Sequence, residues 1–136
     1  MTAQAPPRER PLVVAIDDDP SILSALRRLL SGEPYEFVST TDPDRALDLV
    51  RTRQVSLLMA DFRMPILSGT GLLQVVKATS PSTIRFIITA YPQSTWVVRA
   101  KEMEVMEAVV EKPWNDEELK RTIRNRVLGG RLSETP

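Results

Sequence analysis

Short apolar runs and segments of helical spacing alternate along this chain. Leu12–Ile16 is uninterrupted and apolar, as expected of a strand covered on both faces. Asp19-Pro20 then offers an N-cap followed by proline at the first helical position. Ile22, Leu26, Leu29 and Leu30 hold one face of that helix, and Gly32 can end it. Tyr35–Ser39 reads as a second strand. Asp42-Pro43 repeats the start signal, with Ala46, Leu47 and Val50 as the apolar stripe of a second helix. Val55–Ala60 is a third strand, followed by a loop with Pro65 and Gly69. Gly71–Thr79 is a third helix, stopped by Ser80-Pro81, and Ile84–Ile88 a fourth strand. A fourth helix is expected within Gln93–Met103, with Trp96, Val97, Ala100 and Met103 on one side. Met106–Val110 is the fifth strand. Asn115, paired with Glu118 in a capping-box-like arrangement, opens a last helix whose stripe is Leu119, Ile123 and Val127. Strict alternation of strand and helix argues for a parallel sheet with helices on its faces. Residues 1–11, with Pro6, Pro7 and Pro11, read as a disordered arm, 12–128 as one domain, and 129–136 as a tail or linker start.

Composition narrows the chemistry. The 136 residues suit a single domain with a proper core. A formal net charge of zero supplies no global field toward nucleic acid or an anionic membrane, so neither is expected as a partner. There is no Cys, which excludes disulfides, thiolate metal sites and thiol nucleophiles and fits a cytoplasmic protein. There is no His, which excludes Ser–His catalysis and imidazole ligands. A metal would need oxygen ligands, which favours magnesium, calcium or manganese. No apolar run approaches the roughly 20 residues that cross a bilayer. Met1–Pro11 lacks the apolar centre of a signal peptide.

The strand ends carry the candidate site. Asp17, Asp18 and Asp19 follow the first run, Asp61 the third, Thr89 the fourth and Lys112, before Pro113, the fifth. Open α/β folds bind ligands at the C-terminal strand edge, where strand order reverses. In a flavodoxin-like order 2-1-3-4-5 the first and third strands are neighbours there. Two carboxylates ~4 Å apart repel by about 4 kcal/mol at an effective dielectric of 20, so clustering needs a cation or a proton to offset it. Lys112 offsets part, and a magnesium ion held by one or two carboxylates can offset the rest. A carboxylate can also attack phosphorus and form an aspartyl phosphate. Such transfer chiefly needs in-line placement and charge neutralisation, which an ammonium, a hydroxyl and a metal supply. With no His present, the phosphoryl group must come from outside.

At this point the chain resembles the response-regulator receiver domains of two-component signalling. The matching residues are Ile16-Asp17-Asp18-Asp19-Pro20, Ala60-Asp61-Phe62-Arg63-Met64-Pro65 with Ser68-Gly69, Ile88-Thr89-Ala90 and Glu111-Lys112-Pro113-Trp114. Their order and spacing agree from about Leu12 to Leu128. The resemblance implies a three-layer flavodoxin-like (receiver) sandwich with five parallel strands and five helices. It implies that Asp61 accepts a phosphoryl group from a phosphohistidine on a sensor histidine kinase or histidine phosphotransfer protein. Asp18 would bind magnesium (or manganese) directly and Asp17 mainly through water, with Asp61 and the backbone carbonyl of Arg63 completing the protein ligands. Lys112 would pair with a phosphoryl oxygen. Thr89 and the N–H of Ala90 would bond the same group, and the Lys112–Pro113 bond would be cis. The chain would act as a signalling switch rather than a turnover enzyme. Its readout would be the surface of the fourth helix, fifth strand and fifth helix, where Trp96, Val98, Arg99, Met103 and Glu107 are candidates for a downstream target, a fused output domain or a homodimer.

Two departures stand out. The family's switch aromatic, three residues before the lysine, is here Val109. The glycine usual between the fourth helix and fifth strand is replaced in Glu104-Val105-Met106, so a longer or irregular helix is expected there. Val109 also motivates an alternative, a phosphorylation-independent interaction module. An aspartyl-nucleophile phosphatase resembling the haloacid-dehalogenase family would place nucleophile and acid at Asp17 and Asp19, but Asp19 is better explained as a cap. Flavin binding lacks the Ser/Thr/Gly loop after the first strand that the cofactor phosphate needs. No output module is seen, so the chain reads as a stand-alone receiver or one cut from a longer regulator.

Overall fold

The computed structural model describes residues 10–61 and 69–133. The expected arm up to residue 9, the stretch 62–68 that includes Arg63 and Pro65, and residues 134–136 lie outside the described residues. The chain runs β1 (Leu12–Ile16), α1 (Pro20–Leu30), β2 (Glu36–Thr40), α2 (Pro43–Thr52), β3 (Leu57–Asp61), α3 (Gly69–Thr79), β4 (Ile84–Thr89), α4 (Thr95–Glu102), β5 (Ala108–Glu111) and α5 (Asp116–Ser133). The sheet order is β2-β1-β3-β4-β5 and every pairing is parallel. This is the five-strand, five-helix α/β architecture expected, with β2 and β5 at the edges.

Alternation along the strands splits the core in two. Leu12, Val14 and Ile16 of β1 join Leu58, Ala60 and Ile87 and the apolar stripes of α2, α3 and α4. Val13 and Ala15 join Leu57, Met59, Phe86 and Ile88 and the stripes of α1 and α5. Both faces of β1 and β3 are therefore sealed, which is why those runs read as uninterrupted apolar sequence. Asp19 caps α1 by accepting from Ser21 N–H, and Asp42 caps α2 by accepting from Asp44 N–H. Asn115 Oδ1 accepts from Glu118 N–H at 2.8 Å to open α5.

Several boundaries move. β2 begins at Glu36, because Tyr35 is turned into the core instead of the ladder, and Glu36 N–H bonds the Pro11 carbonyl at 2.9 Å. β5 begins at Ala108, and the apolar Val105 and Met106 are buried in the connection before it. That connection keeps the shape a glycine would give. Glu104 takes φ 58°, in the left-handed region. Its N–H reaches Lys101 O at 3.0 Å and that of Val105 reaches Ala100 O at 3.2 Å, a Schellman closure of α4. The helix is thus ended on time by a strained Glu, and the longer helix expected does not form. α5, in contrast, continues through Gly129-Gly130 to Ser133, so the expected tail starts as helix. Glycine costs a helix only about 1 kcal/mol per residue, too little to force a stop.

Candidate functional site

Parallel register brings the four strand tips to one edge. Ile16 lies beside Ala60, so Asp17 and Asp61 follow on neighbouring strands. Thr89 lies beside Glu111, so Lys112 leaves the sheet next to Ala90. Lys112 N–H donates to Thr89 O at 2.8 Å, which carries the β4–β5 ladder one step further. The Lys112–Pro113 peptide bond is cis.

The side chains converge as charge balance requires. Lys112 Nζ lies 2.9 Å from Asp17 Oδ2 and 3.3 Å from Asp61 Oδ1. Asp17 and Asp61 are buried, while Asp18 is exposed, and carboxylate oxygens of all three lie within 4.8 Å of one another. Burial works against the Lys112 ammonium, but the hydrogen bond and charge of Asp17, joined by those of Asp61, outweigh it and raise its pKa above the usual lysine value. Asp17 uses its second oxygen to accept Asp19 N–H at 2.9 Å, so it is held rigidly from both sides. This donor set is all oxygen, partly buried and over-provided with negative charge, which fits a hard divalent cation such as magnesium.

The remaining predicted residues sit around this centre. Thr89 is buried, and its Oγ1 accepts Tyr91 N–H at 2.9 Å. Ala90 is exposed at the mouth. Val109 is half-buried against the core on the α2–α4 side. Asp19 stands apart, because its Oδ1 accepts both Ser21 N–H and Ser21 Oγ. The Ser21 bonds hold its carboxyl below the usual range, the opposite of what a general acid requires. That disfavours the phosphatase reading.

Helical spacing grouped two residues of α4 and its C-cap with the buried stripe, but both are exposed, as their other reading as surface candidates expected. Trp96 and Met103, grouped with Val97 and Ala100, are 61% and 40% exposed, whereas the latter two are fully buried. α4 lies beside an edge strand, so only one narrow stripe of it is covered. Arg99 packs over the outer face of Trp96, its guanidinium carbon 5.9 Å from the ring centre. Val98, Arg99 and Glu107 are exposed as well. Sequence reasoning missed Arg85, which is 5% exposed and bonded to Val105 O, Thr83 O and Glu107. The one signal was a charged residue inside the apolar run Ile84–Ile88.

Comparison with known proteins agrees with this geometry. A family model described as the response regulator receiver domain matches residues 13–124. The transcriptional regulatory protein ZraR of Klebsiella oxytoca is 30% identical over 124 residues, covering 91% of this chain and 28% of that protein. The DNA-binding response regulator MtrA of Mycolicibacterium smegmatis is 30% identical over 118 residues, 87% of this chain and 51% of the relative. The chain therefore spans about a quarter to a half of the length of these curated relatives. A signal receiver domain of an HD domain-containing protein from Pseudomonas fluorescens superposes with a TM-score of 0.82 at 30% identity, covering 89% of this chain and 97% of that one. The receiver domain of a sensor histidine kinase from Pseudomonas aeruginosa, solved with magnesium in its active site cleft, shares the fold at a TM-score of 0.74 and 18% identity, covering 88% of this chain and 98% of that one. Because the matched span runs from Val13 in β1 to Arg124 in α5 and takes in every tip residue described above, this chain belongs to the response regulator receiver domain family.

Proposed function

We propose that this chain is a magnesium-dependent phosphoacceptor receiver in which Asp61 takes a phosphoryl group from a phosphohistidine of a partner protein. One observation carries the reading: the Lys112 ammonium sits between buried Asp17 and Asp61, with Asp18 close enough to complete an oxygen cage. An Asp61 oxygen attacks phosphorus, the P–N bond of the donor breaks, and its electron pair returns to the imidazole. Lys112 keeps the Asp61 carboxylate in place beforehand and then neutralises the incoming phosphoryl oxygens. Asp17 holds Lys112 to the site. Asp18 and Asp61, helped by Asp17 and the carbonyl of Arg63, would hold the magnesium ion. When bound, the ion supplies positive charge toward the phosphoryl oxygens.

Thr89 is the proposed switch. Its hydroxyl now accepts Tyr91 N–H, and turning toward a phosphoryl group, together with Ala90 N–H, would release that bond. Tyr91 O in turn accepts Ser94 N–H at 3.1 Å, and Ser94 caps α4. The exposed face of α4 and β5 is thereby the natural readout for an output domain, a separate target or a second copy. Cytoplasmic residence goes with this reading, and among the described residues no helix is long and apolar enough to cross a membrane.

The test is direct. Intact-mass measurement after incubation with magnesium and acetyl phosphate should show one added phosphoryl group on the wild type and none on Asp61→Asn. A wild type that binds magnesium yet stays unmodified, with beryllofluoride also without effect, would defeat the reading. Val109 favours one other reading, a phosphorylation-independent module. Partner binding that is identical in wild type, Asp61→Asn and Asp61→Glu would establish it.

A further inference from the structure

A cavity of about 400 Å³ opens at the end of the sheet opposite the acidic centre. Its walls come from the last turn of α1, the α1–β2 turn and the start of β2, and Arg10 reaches it from just before β1. The strands are parallel and the acidic centre sits at their C-terminal tips, so the two places lie about one strand length apart, roughly 15 Å. Four charged side chains face the cavity: Arg10, Arg27, Glu33 and Glu36. Both carboxylates are matched by guanidiniums from outside its walls, Glu33 by Arg124 at 3.0 Å and Glu36 by Arg53 at 2.7 Å. Arg10 adds only a through-space attraction to Glu36, and Arg27 bonds a neutral partner, Ser39 Oγ, at 3.0 Å. The charges of Arg10 and Arg27 are thus in surplus, and the C-terminal dipole of α1 offsets only about half of one of them.

The other walls are of a different kind. Leu30, Tyr35 and Phe37 give the cavity an apolar side. Tyr35 is 3% exposed, and its hydroxyl is the one buried side-chain polar atom without a hydrogen bond among the described residues. An unmatched buried donor on the wall of a positively charged cavity calls for an acceptor from outside. We propose that this cavity binds a nucleoside monophosphate. The phosphate carries close to two negative charges near neutral pH, which matches the surplus, and guanidinium forks bond its oxygens in pairs. The base lies against Leu30 and Phe37, a surface that a free phosphate leaves bare. The Ser31 hydroxyl and the remaining lone pairs of Glu33 and Glu36 accept from the sugar hydroxyls, and the Tyr35 hydroxyl gains an acceptor. The volume lies within the range of small-molecule sites.

The experiment is titration calorimetry on the full chain, in EDTA and without magnesium, with AMP, adenosine and inorganic phosphate as probes. Without the metal the acidic centre repels anions, so the far cavity alone answers. AMP should bind with a dissociation constant of about 0.1–1 mM, and at least about tenfold tighter than adenosine or inorganic phosphate. Both cavity arginines are exposed, so replacing them leaves the fold intact. Arg10→Gln and Arg27→Gln should each weaken AMP binding about tenfold, the worth of a charge-assisted hydrogen bond. Tyr35→Phe should weaken it about threefold to tenfold. Arg28, exposed in the same turn of α1 but not on the wall, is the control, and Arg28→Gln should leave binding unchanged. Absence of binding with AMP at about 10 mM would overturn the proposal. So would equal affinity for AMP and inorganic phosphate, or a loss in Arg28→Gln as large as that in Arg27→Gln.

Discussion

Lys112 shows how one residue can be chosen by its surroundings. Its stem is partly buried, a cost that only the two carboxylates it reaches can offset. Glu104 presents the opposite case, a residue placed where its own backbone preference is violated. A non-glycine residue in the left-handed region costs roughly 1–2 kcal/mol, less the entropy that glycine itself loses on folding. Glu104→Gly should therefore stabilise the protein by about 0.5–1 kcal/mol, read from the urea midpoint at unchanged slope. A loss of stability would show that the Glu104 side chain has a compensating role. Tyr35 is 3% exposed, and its hydroxyl has no hydrogen-bond partner among the described residues. Burial first, and then the Glu33 carboxylate, raise its pKa against the opposing charge of Arg124. An unfolded tyrosine ionises near pH 10 while the folded one stays neutral. The associated stability is complete below about pH 10 and drains away as pH rises toward the folded value. Tyr35→Phe should remove that alkaline loss and gain about 1 kcal/mol near neutrality by removing a buried unpaired hydroxyl. Urea titrations at about pH 7 and pH 10.5 check both, and an alkaline slope equal to that of the wild type would refute the assignment.

Secondary elements are tied to one another at the sheet edge opposite the site by a second set of charges. Arg85, at the start of β4, bonds Val105 O and Thr83 O at 2.9 Å each and pairs with Glu107 at 3.2 Å. Glu107 returns the contact by accepting Arg85 N–H at 2.7 Å. This network fastens the α4–β5 connection to β4, where β5 offers only four residues of ladder. Arg85→Ala should cost about 2–3 kcal/mol, since it strands two buried carbonyls and removes the ion pair with Glu107, which keeps only the backbone N–H. Chemical denaturation measures it, and a cost under about 0.5 kcal/mol would mean that the network is ornamental. Arg124 of α5 holds the α1–β2 turn in the same manner, through Glu33 at 3.0 Å. The two networks fix the framework, so the α4 face stays free to respond to the site. Trp96, in the first turn of α4, is placed to report such a response by fluorescence.

Across the molecule, strand order is what assembles the site. Three carboxylates meet one ammonium, and the excess negative charge predicts that a divalent cation stabilises the fold by mass action. At ten times its dissociation constant magnesium adds about 1.4 kcal/mol, or roughly 5 °C in melting temperature for a domain of this size. Thermal melts should show that rise in the wild type and lose most of it in Asp18→Ala; equal shifts in both would remove Asp18 from the metal site. Much of this was legible in the linear chain. The apolar runs, the Asp-Pro helix starts and the residue types at the strand ends are local signals, because burial on two faces and capping act over a few residues. Leu12–Ile16 is a strand and Asp19 a cap for reasons present in those residues alone. Other features depended on neighbours distant in sequence. Lys112 finds Asp17 and Asp61 across separations of 95 and 51 residues. Arg85 is satisfied in part by the Val105 carbonyl and the Glu107 carboxylate about twenty residues on, Trp96 is left exposed because the sheet ends at β5, and Trp114 and Ile22 line the same cleft. Periodicity reports which side of an element is apolar. Only strand order and packing determine what stands against that side, and hence which charges are paired and which surfaces remain open.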